Sequence, residues 1–341
     1  MRIALSADPE LPVPPKLYGG IERIIDMLAL KYAERGHEVT VFAHPESDTA
    51  GKLIAWPRPT SQSRSDTLFN SATLARHIIG GKFDILHSFS RLAYMTPILP
   101  LSLPKLMTYQ RAITADRVKR ARGLAGKSLE FTACGAWMLD TLQDRSGWHA
   151  VPNGVPLETY DFTPDVAEDA PLVFLGRIEE IKGTHLAIEI AKRTNQRLII
   201  AGNIPDEKRD WYEAFVAPHL DDKQIKYVGP VNDVQKNELL GEAKAFLMPI
   251  LWDEPFGIVM AEAMACGTPV IGMRRGAVPE VVVHGSTGFV GDTIEDLIAA
   301  MKDIQALDRA ACRKRVEDHY SSDAVADAYL NIYQNHGARA K

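Results

Sequence analysis

The segment PLVFLGRIEEIKGTHLAIEIAKRTNQRLIIAGN, residues 171–203, decides the fold class. PLVFLGRI (171–178) is an apolar run of strand length that ends at Gly176. GTHLAIEIAKRT (183–194) has helical spacing of Leu, Ile and Ala, and RLIIAGN (197–203) is again a strand. A strand, a helix and a strand within about thirty residues is the βαβ unit of a parallel sheet.

The same alternation extends in both directions. Downstream, IKYVGPV (225–231), AFLMPI (245–250) and TPVIG (268–272) read as further strands. Upstream, RIAL (2–5) opens an earlier series. It is followed by a Pro-rich loop and by IERIIDMLALKYAERG (21–36), a helix with Ile21, Ile24, Ile25, Leu28 and Tyr32 on one face. Gly36 closes that helix as a C-cap. HEVTVFA (37–43), FDILHSFS (83–90), KLMTYQ (105–110) and SLEFTAC (128–134) continue the series. The Pro- and Asp-rich stretch 151–171 joins the two. The sequence therefore predicts two successive α/β domains, each a doubly wound parallel sheet: 1–155, 156–320, and a final helix at 321–341 packing back toward the first domain. Such sheets bind ligands outside the carboxyl ends of their strands, so a site assembled in a cleft between two domains is expected.

Composition removes several function classes. A chain of 341 residues with a formal charge of −5 and a pI near 6.1 is no obvious nucleic-acid binder. Cys134, Cys266 and Cys312 form no C-x-x-C pair and no even framework, which fits a reducing cytoplasm. The N-terminal apolar run is too short for a signal peptide, and no window approaches the roughly 20 apolar residues of a membrane span. The expected location is cytoplasmic, with peripheral contact at the inner face of the membrane as an option. No two glycines are separated by a single residue, so the G-x-G-x-x-G dinucleotide fingerprint is absent.

The chemistry concentrates in DEPFGIVMAEAMACGTPVI, residues 253–271. Glu254 and Glu262 bracket seven small or apolar residues. Pro255 suits a helix first turn, and a helix over Gly257–Ala265 leaves the amides of Gly257, Ile258 and Val259 unpaired. Amides at a helix N-terminus favour a phosphate. Glu254 then lies just outside that phosphate and Glu262 more than a turn inside, and a carboxylate can accept two hydrogen bonds from a vicinal diol. A nucleotide sugar, with a diphosphate between two diol-bearing rings, has that layout. In FLGRIEEIKG (174–183), Arg177 and Lys182 project beyond a strand's carboxyl end and suit the diphosphate. Taken alone, each element has a plainer reading: first-turn acids complementing a helix dipole, and solvated surface cations.

Four segments in order, VPNGV (151–155), GRIEEIKG, PILWDEPFGIVMAEAMACGTPVI and PEVVVHGSTGFV (279–290), resemble the retaining GT-B glycosyltransferases of family 4, the glycosyl transferases of group 1. The resemblance covers essentially the whole chain and is most specific over 171–290. It implies Glu254 on the transferred sugar, Glu262 on the nucleotide ribose, and Arg177 and Lys182 on the diphosphate, where they stabilise the leaving group. Arg177, Lys182 and Glu254 are thereby the candidate catalytic residues. It also implies Phe256, Gly257, Ile258 and Val259 around the donor, base recognition by the backbone of Val228, Gly229 and Pro230 in the YVGPV loop, and an approach to the donor by Gly19 and Gly20 in YGGIE (18–22). The implied reaction moves a hexosyl group from a nucleotide diphosphate sugar, UDP first and GDP second, to an acceptor hydroxyl of a saccharide, glycolipid or small molecule, with retention.

One departure stands out. Where family members commonly carry a histidine after the strand KLMTYQ, this chain has Gln110, which cannot act as acid or base. Gln110 and His87, at the end of another strand, are the candidate sugar or acceptor contacts. No D-x-D triplet occurs, so no metal is expected, and no resident cofactor beyond the co-substrate. RAITADRVKRARGLAGK (111–127) holds six basic residues against Asp116. It reads either as a solvated helix face or as a surface for an anionic membrane or a phosphate-bearing acceptor. A nucleotide-sugar epimerase, a pyridoxal-dependent phosphorylase and a catalytically silent nucleotide-sugar binding module are the rival readings.

Overall fold

The computed structural model describes residues 1–16 and 19–340, so Tyr18 of the YGGIE segment lies outside the described residues. The chain forms two compact units. One comprises the residues up to Gly154 together with those from Ser322 onward; the other is Val155–Ser321.

The first unit is built on seven parallel strands: β1 (Arg2–Ser6), β2 (Glu38–Ala43), β3 (Lys52–Ala55), β4 (Ile85–Ser88), β5 (Lys105–Tyr109), β6 (Leu129–Ala133) and β7 (Trp148–Ala150). Their spatial order is β3-β2-β1-β4-β5-β6-β7. The crossovers include α1 (Gly20–Glu34), α2 (Arg64–Gly80), α3 (Leu92–Met95) and α4 (Ala115–Ala125). The α1 stripe buries Ile24, Ile25, Leu28 and Tyr32, and Gly36 takes the left-handed conformation just beyond it (φ 75°). The order reverses between β1 and β4.

The second unit repeats the plan with six parallel strands: β8 (Leu172–Leu175), β9 (Leu198–Ala201), β10 (Ile225–Tyr227), β11 (Ala245–Met248), β12 (Val270–Met273) and β13 (Gly288–Gly291), in the order β10-β9-β8-β11-β12-β13. Sheets covered on both faces read as continuous apolar runs. LVFL of β8 and AFLM of β11 are such runs, and every residue of β11 is buried. The helices are α5 (Thr184–Arg193), α6 (Arg209–Phe215), α7 (Asp233–Gly241), α8 (Ile258–Ala265), α9 (Val278–Val281), α10 (Ile294–Ala300) and α11 (Arg309–His319). Here the order reverses between β8 and β11. The last helix, α12 (Ser322–Ala340), belongs to the first unit, where Tyr333 donates to or accepts from Tyr32 at 3.1 Å.

Three strands lie outside the runs that the sequence marks: β3, β7 and β13. Each sits at an edge of its sheet. β3 and β7 are short and only partly covered, and β13 is GFVG with glycine at both ends, so all three lack the apolar run that betrays a central strand. The three cysteines are free and buried.

Candidate active site

The reversal point of the second sheet brings the loop after β8 beside the loop after β11. Two close approaches lock them together. Gly183 packs so tightly on the Pro249 carbonyl that a Cβ there would lie 1.9 Å from its oxygen, and Gly183 also needs its left-handed φ of 77°. The Leu251 amide then donates to the Ile181 carbonyl at 2.8 Å. As a result the Lys182 ammonium donates to Glu254 Oε2 at 2.5 Å, which also accepts from the Trp252 indole at 3.0 Å. Lys182 lies 4.7 Å over the Trp252 ring, so three groups define one position. From the far side, Gly276 abuts the Glu254 backbone, and the Ala277 amide donates to the Glu254 carbonyl at 2.9 Å.

Glu254 leads directly into α8. Gly257, at φ 73°, is the residue before the helix, which starts at Ile258, one residue later than the sequence predicts. The Met260 amide donates to the Gly257 carbonyl at 2.9 Å, so the ladder begins there and the Ile258 and Val259 amides are the helix's leading donors. Phe256 is buried and meets Tyr320 edge-on at 5.6 Å. Its place is in the packing beneath the loop.

Glu262 follows one turn into α8, about 6 Å farther along the axis. It is only 6% exposed. Its Oε1 accepts from the Lys236 ammonium at 2.6 Å and from the Tyr160 hydroxyl at 2.7 Å. Two charges taken out of water are tolerable only when they meet one another and their remaining hydrogen-bonding capacity is used. Arg177, by contrast, lies 2.8 Å from Glu179, a neighbour in sequence. The structure thus joins Lys182 to Glu254, and pairs Arg177 and Glu262 with residues that the sequence pattern did not mark. Lys236, Tyr160 and Glu179 are those residues, and Trp252 is a further donor to Glu254. Trp252 and Glu179 had a signal, each lying two residues from a marked residue within a quoted motif. Nothing in the spacing of Tyr160, Lys236 and Glu262 connects them.

The loop after β10 is exposed. Val228 donates through its amide to the Ile200 carbonyl, Gly229 has φ 79°, and Pro230 faces solvent. In the first unit, Gly19 has φ 151° and packs on Pro15 and the Glu22 carboxylate, while Gly20 opens α1. Gln110 exchanges two amide hydrogen bonds with Asn153 of the VPNGV segment, at 2.6 and 2.9 Å.

His87 requires a correction. As a possible sugar or acceptor contact it would have to face outward from its strand, against the plainer reading of a structural histidine. It is instead fully buried, with Nδ1 2.5 Å from the Tyr333 hydroxyl and Nε2 2.6 Å from the Thr108 hydroxyl. Burial pushes its pKa down to about 3, so the ring is neutral. Both nitrogens are occupied by the core, one as donor and one as acceptor. The reason is α12, whose Tyr333 is 246 positions away in the chain.

The comparisons with known proteins agree with this architecture. The family model described as "Glycosyltransferase Family 4" matches residues 18–159, and "Glycosyl transferases group 1" matches 161–318. The chain belongs to this family and has the GT-B fold. It is a retaining glycosyltransferase that takes its sugar from a nucleotide sugar, in a family whose members are generally metal-independent. Among its relatives is a phosphatidyl-myo-inositol mannosyltransferase of Mycobacterium leprae, 24% identical over 374 residues covering 98% of this chain and 96% of that one. Sucrose-phosphate synthase from Thermosynechococcus elongatus superposes with a TM-score of 0.79 at 20% identity, over 99% of each chain. Anabaena HepE, solved in complex with UDP-glucose, superposes with a TM-score of 0.73 at 16% identity, over 98% of this chain and 100% of that one. Among the described residues, no helix is long and apolar enough to cross a membrane.

Proposed function

We propose that the chain transfers a hexosyl group from a UDP-sugar, with GDP-sugar as the second candidate, to a hydroxyl of a saccharide or lipid-linked acceptor. The observation that carries this reading is the Lys182–Glu254 contact beside the leading amides of α8, at the reversal point of the second sheet. An ammonium held by one carboxylate beside free amides is a diphosphate site in waiting. A diphosphate placed there competes with Glu254 for the Lys182 ammonium and releases a carboxylate oxygen to accept a hydrogen bond from a sugar hydroxyl. Arg177 adds a bidentate cation. Glu262, whose two contacts both fall on Oε1, keeps Oε2 for the ribose diol. The exposed backbone of Val228, Gly229 and Pro230 suits the base. UDP ranks first because a protein of the same fold binds UDP-glucose.

In this reading catalysis is electrostatic. Charge that develops on the departing diphosphate meets donors already in place, with no reorganisation at the moment of bond cleavage. No protein base is required, because the leaving phosphate can take the acceptor's proton. The basic segment 111–127 supplies peripheral contact with anionic lipid.

Titration calorimetry with UDP, GDP, ADP and dTDP, each with and without EDTA, tests the proposal. The expected result is one nucleotide binding clearly better than the others and unaffected by EDTA. Absence of binding by all four, or binding abolished by EDTA, would overturn it.

A further inference from the structure

The first unit has a cavity of about 710 Å³ at the carboxyl ends of β4 and β5, lined by Gln110 and by arginines of the basic segment 111–127. Its walls come from the segment after β4 with α3, from the loop after β5, and from one face of α4. Four arginines line it, Arg91, Arg111, Arg117 and Arg120, against one carboxylate, Asp8. Two of the four are engaged. The Arg91 guanidinium donates to the Ser61 carbonyl, and Arg111 lies 3.8 Å from Asp8. Arg117 and Arg120 have no carboxylate partner among the described residues. They are three apart on α4, hence on the same face.

That face continues with Ala121 and Leu124, at the i+4 and i+7 positions from Arg117, and Leu124 is 57% exposed. Across the cavity, Leu92, Leu99 and Met107 form an apolar wall. An excess of guanidinium groups beside an apolar wall is costly in both respects when water is its only neighbour. The arginines repel one another, and Leu124 at 57% exposure leaves hydrocarbon in water, while Leu99 and Met107 are largely covered. A single kind of ligand relieves both: a phosphate joined directly to a hydrocarbon chain. Arginine forks match phosphate oxygens bidentately, and the wall covers the first methylenes.

We infer that this cavity is the acceptor site and that the acceptor is a phosphate-bearing lipid, with its phosphate on Arg117 and Arg120 and its proximal chain against Leu92, Leu99, Met107 and Leu124. The inference rests on the glycosyltransferase reading above and gives its acceptor a chemical class. Inorganic phosphate or a soluble sugar phosphate could satisfy the arginines but would leave the apolar wall idle.

The test is calorimetry at pH 8 with dodecyl phosphate below its micelle concentration, glucose 6-phosphate, inorganic phosphate and dodecyl maltoside. Each is titrated into the wild type and into the Arg117→Gln/Arg120→Gln variant. UDP is titrated into both as a separate reading of the donor site. The expected result is that dodecyl phosphate binds at least tenfold more tightly than the other three, and at least tenfold more weakly to the variant, with UDP affinity unchanged. Leu124→Ser should weaken dodecyl phosphate alone, by several-fold. Equal affinity in the double variant, or absence of dodecyl phosphate binding, overturns the site. Glucose 6-phosphate or inorganic phosphate binding as tightly as dodecyl phosphate overturns the lipid. Dodecyl phosphate binding as expected without any binding of UDP would support the phospholipid site and count against the donor assignment alone.

Discussion

The two units share a sheet plan and use charge in opposite ways. In Val155–Ser321, the cations near the reversal point are each held by a carboxylate: Lys182 by Glu254, Lys236 by Glu262 and Arg177 by Glu179. In the first unit, Arg117 and Arg120 face a wide cavity with no acidic partner among the described residues. Paired charges on packed loops are preorganised, as a site must be if it is to stabilise the same diphosphate in every turnover. Unpaired guanidinium groups on an exposed helix can adapt, and they define a class of anion more than one molecule. The difference fits a donor site specified by internal pairing and an acceptor site specified by its unbalanced charge and its apolar wall.

The comparison breaks most sharply at the Lys236–Glu262 pair. Glu262→Ala leaves the Lys236 ammonium buried with no carboxylate but Asp233, 3.3 Å away and half-exposed. A loss of about 3–5 kcal/mol in unfolding free energy is expected, measured by urea denaturation. Replacing both partners, Glu262→Met with Lys236→Met, should restore most of that stability, because no charge is then stranded. The double variant should still fail to bind the nucleotide. A double variant as unstable as the single one would mean that the loss comes from packing and not from the stranded charge.

A smaller effect probes the first unit's core. His87 has a folded pKa near 3 against about 6.5 in the unfolded chain. The folded state therefore binds fewer protons across that interval. The stability due to neutral His87 is fully present above about pH 6.5 and is lost as pH falls toward 3. Between pH 7 and pH 5 the expected loss is about 2 kcal/mol. Urea unfolding at the two pH values should show it for the wild type and show a shallower dependence for His87→Gln. Identical pH dependence in the two proteins would contradict the buried, neutral assignment.

Much of the fold was legible because its central strands and helices carry periodic apolar patterns. The stripe on α1, the helix α5 and the runs in β8, β9 and β11 are examples. The edge strands β3, β7 and β13 were not, since β3 and β7 are short and partly exposed and β13, GFVG, has glycine at both ends, so none bears such a run. The chemistry was legible only where it is local. The amide donors of α8 and its flanking glutamates lie within ten residues. Lys236 and Tyr160, which hold Glu262, are 26 and 102 positions away, and no spacing rule links them. The burial of His87 was not legible for the same reason. What encloses it is α12, the last helix of the chain, whose return to the first unit sets the environment of β4.

The most direct test of the account is the rate of glycosyl transfer by Lys182→Ala, measured as release of nucleoside diphosphate in a single turnover with the nucleotide sugar that calorimetry selects. The account predicts a loss of about 10²–10³ in rate, read on a variant that its urea transition shows to be folded, since the Lys182 and Glu254 side chains are only 16% and 12% exposed and their pairing also contributes stability. Turnover within a few-fold of wild type would contradict it.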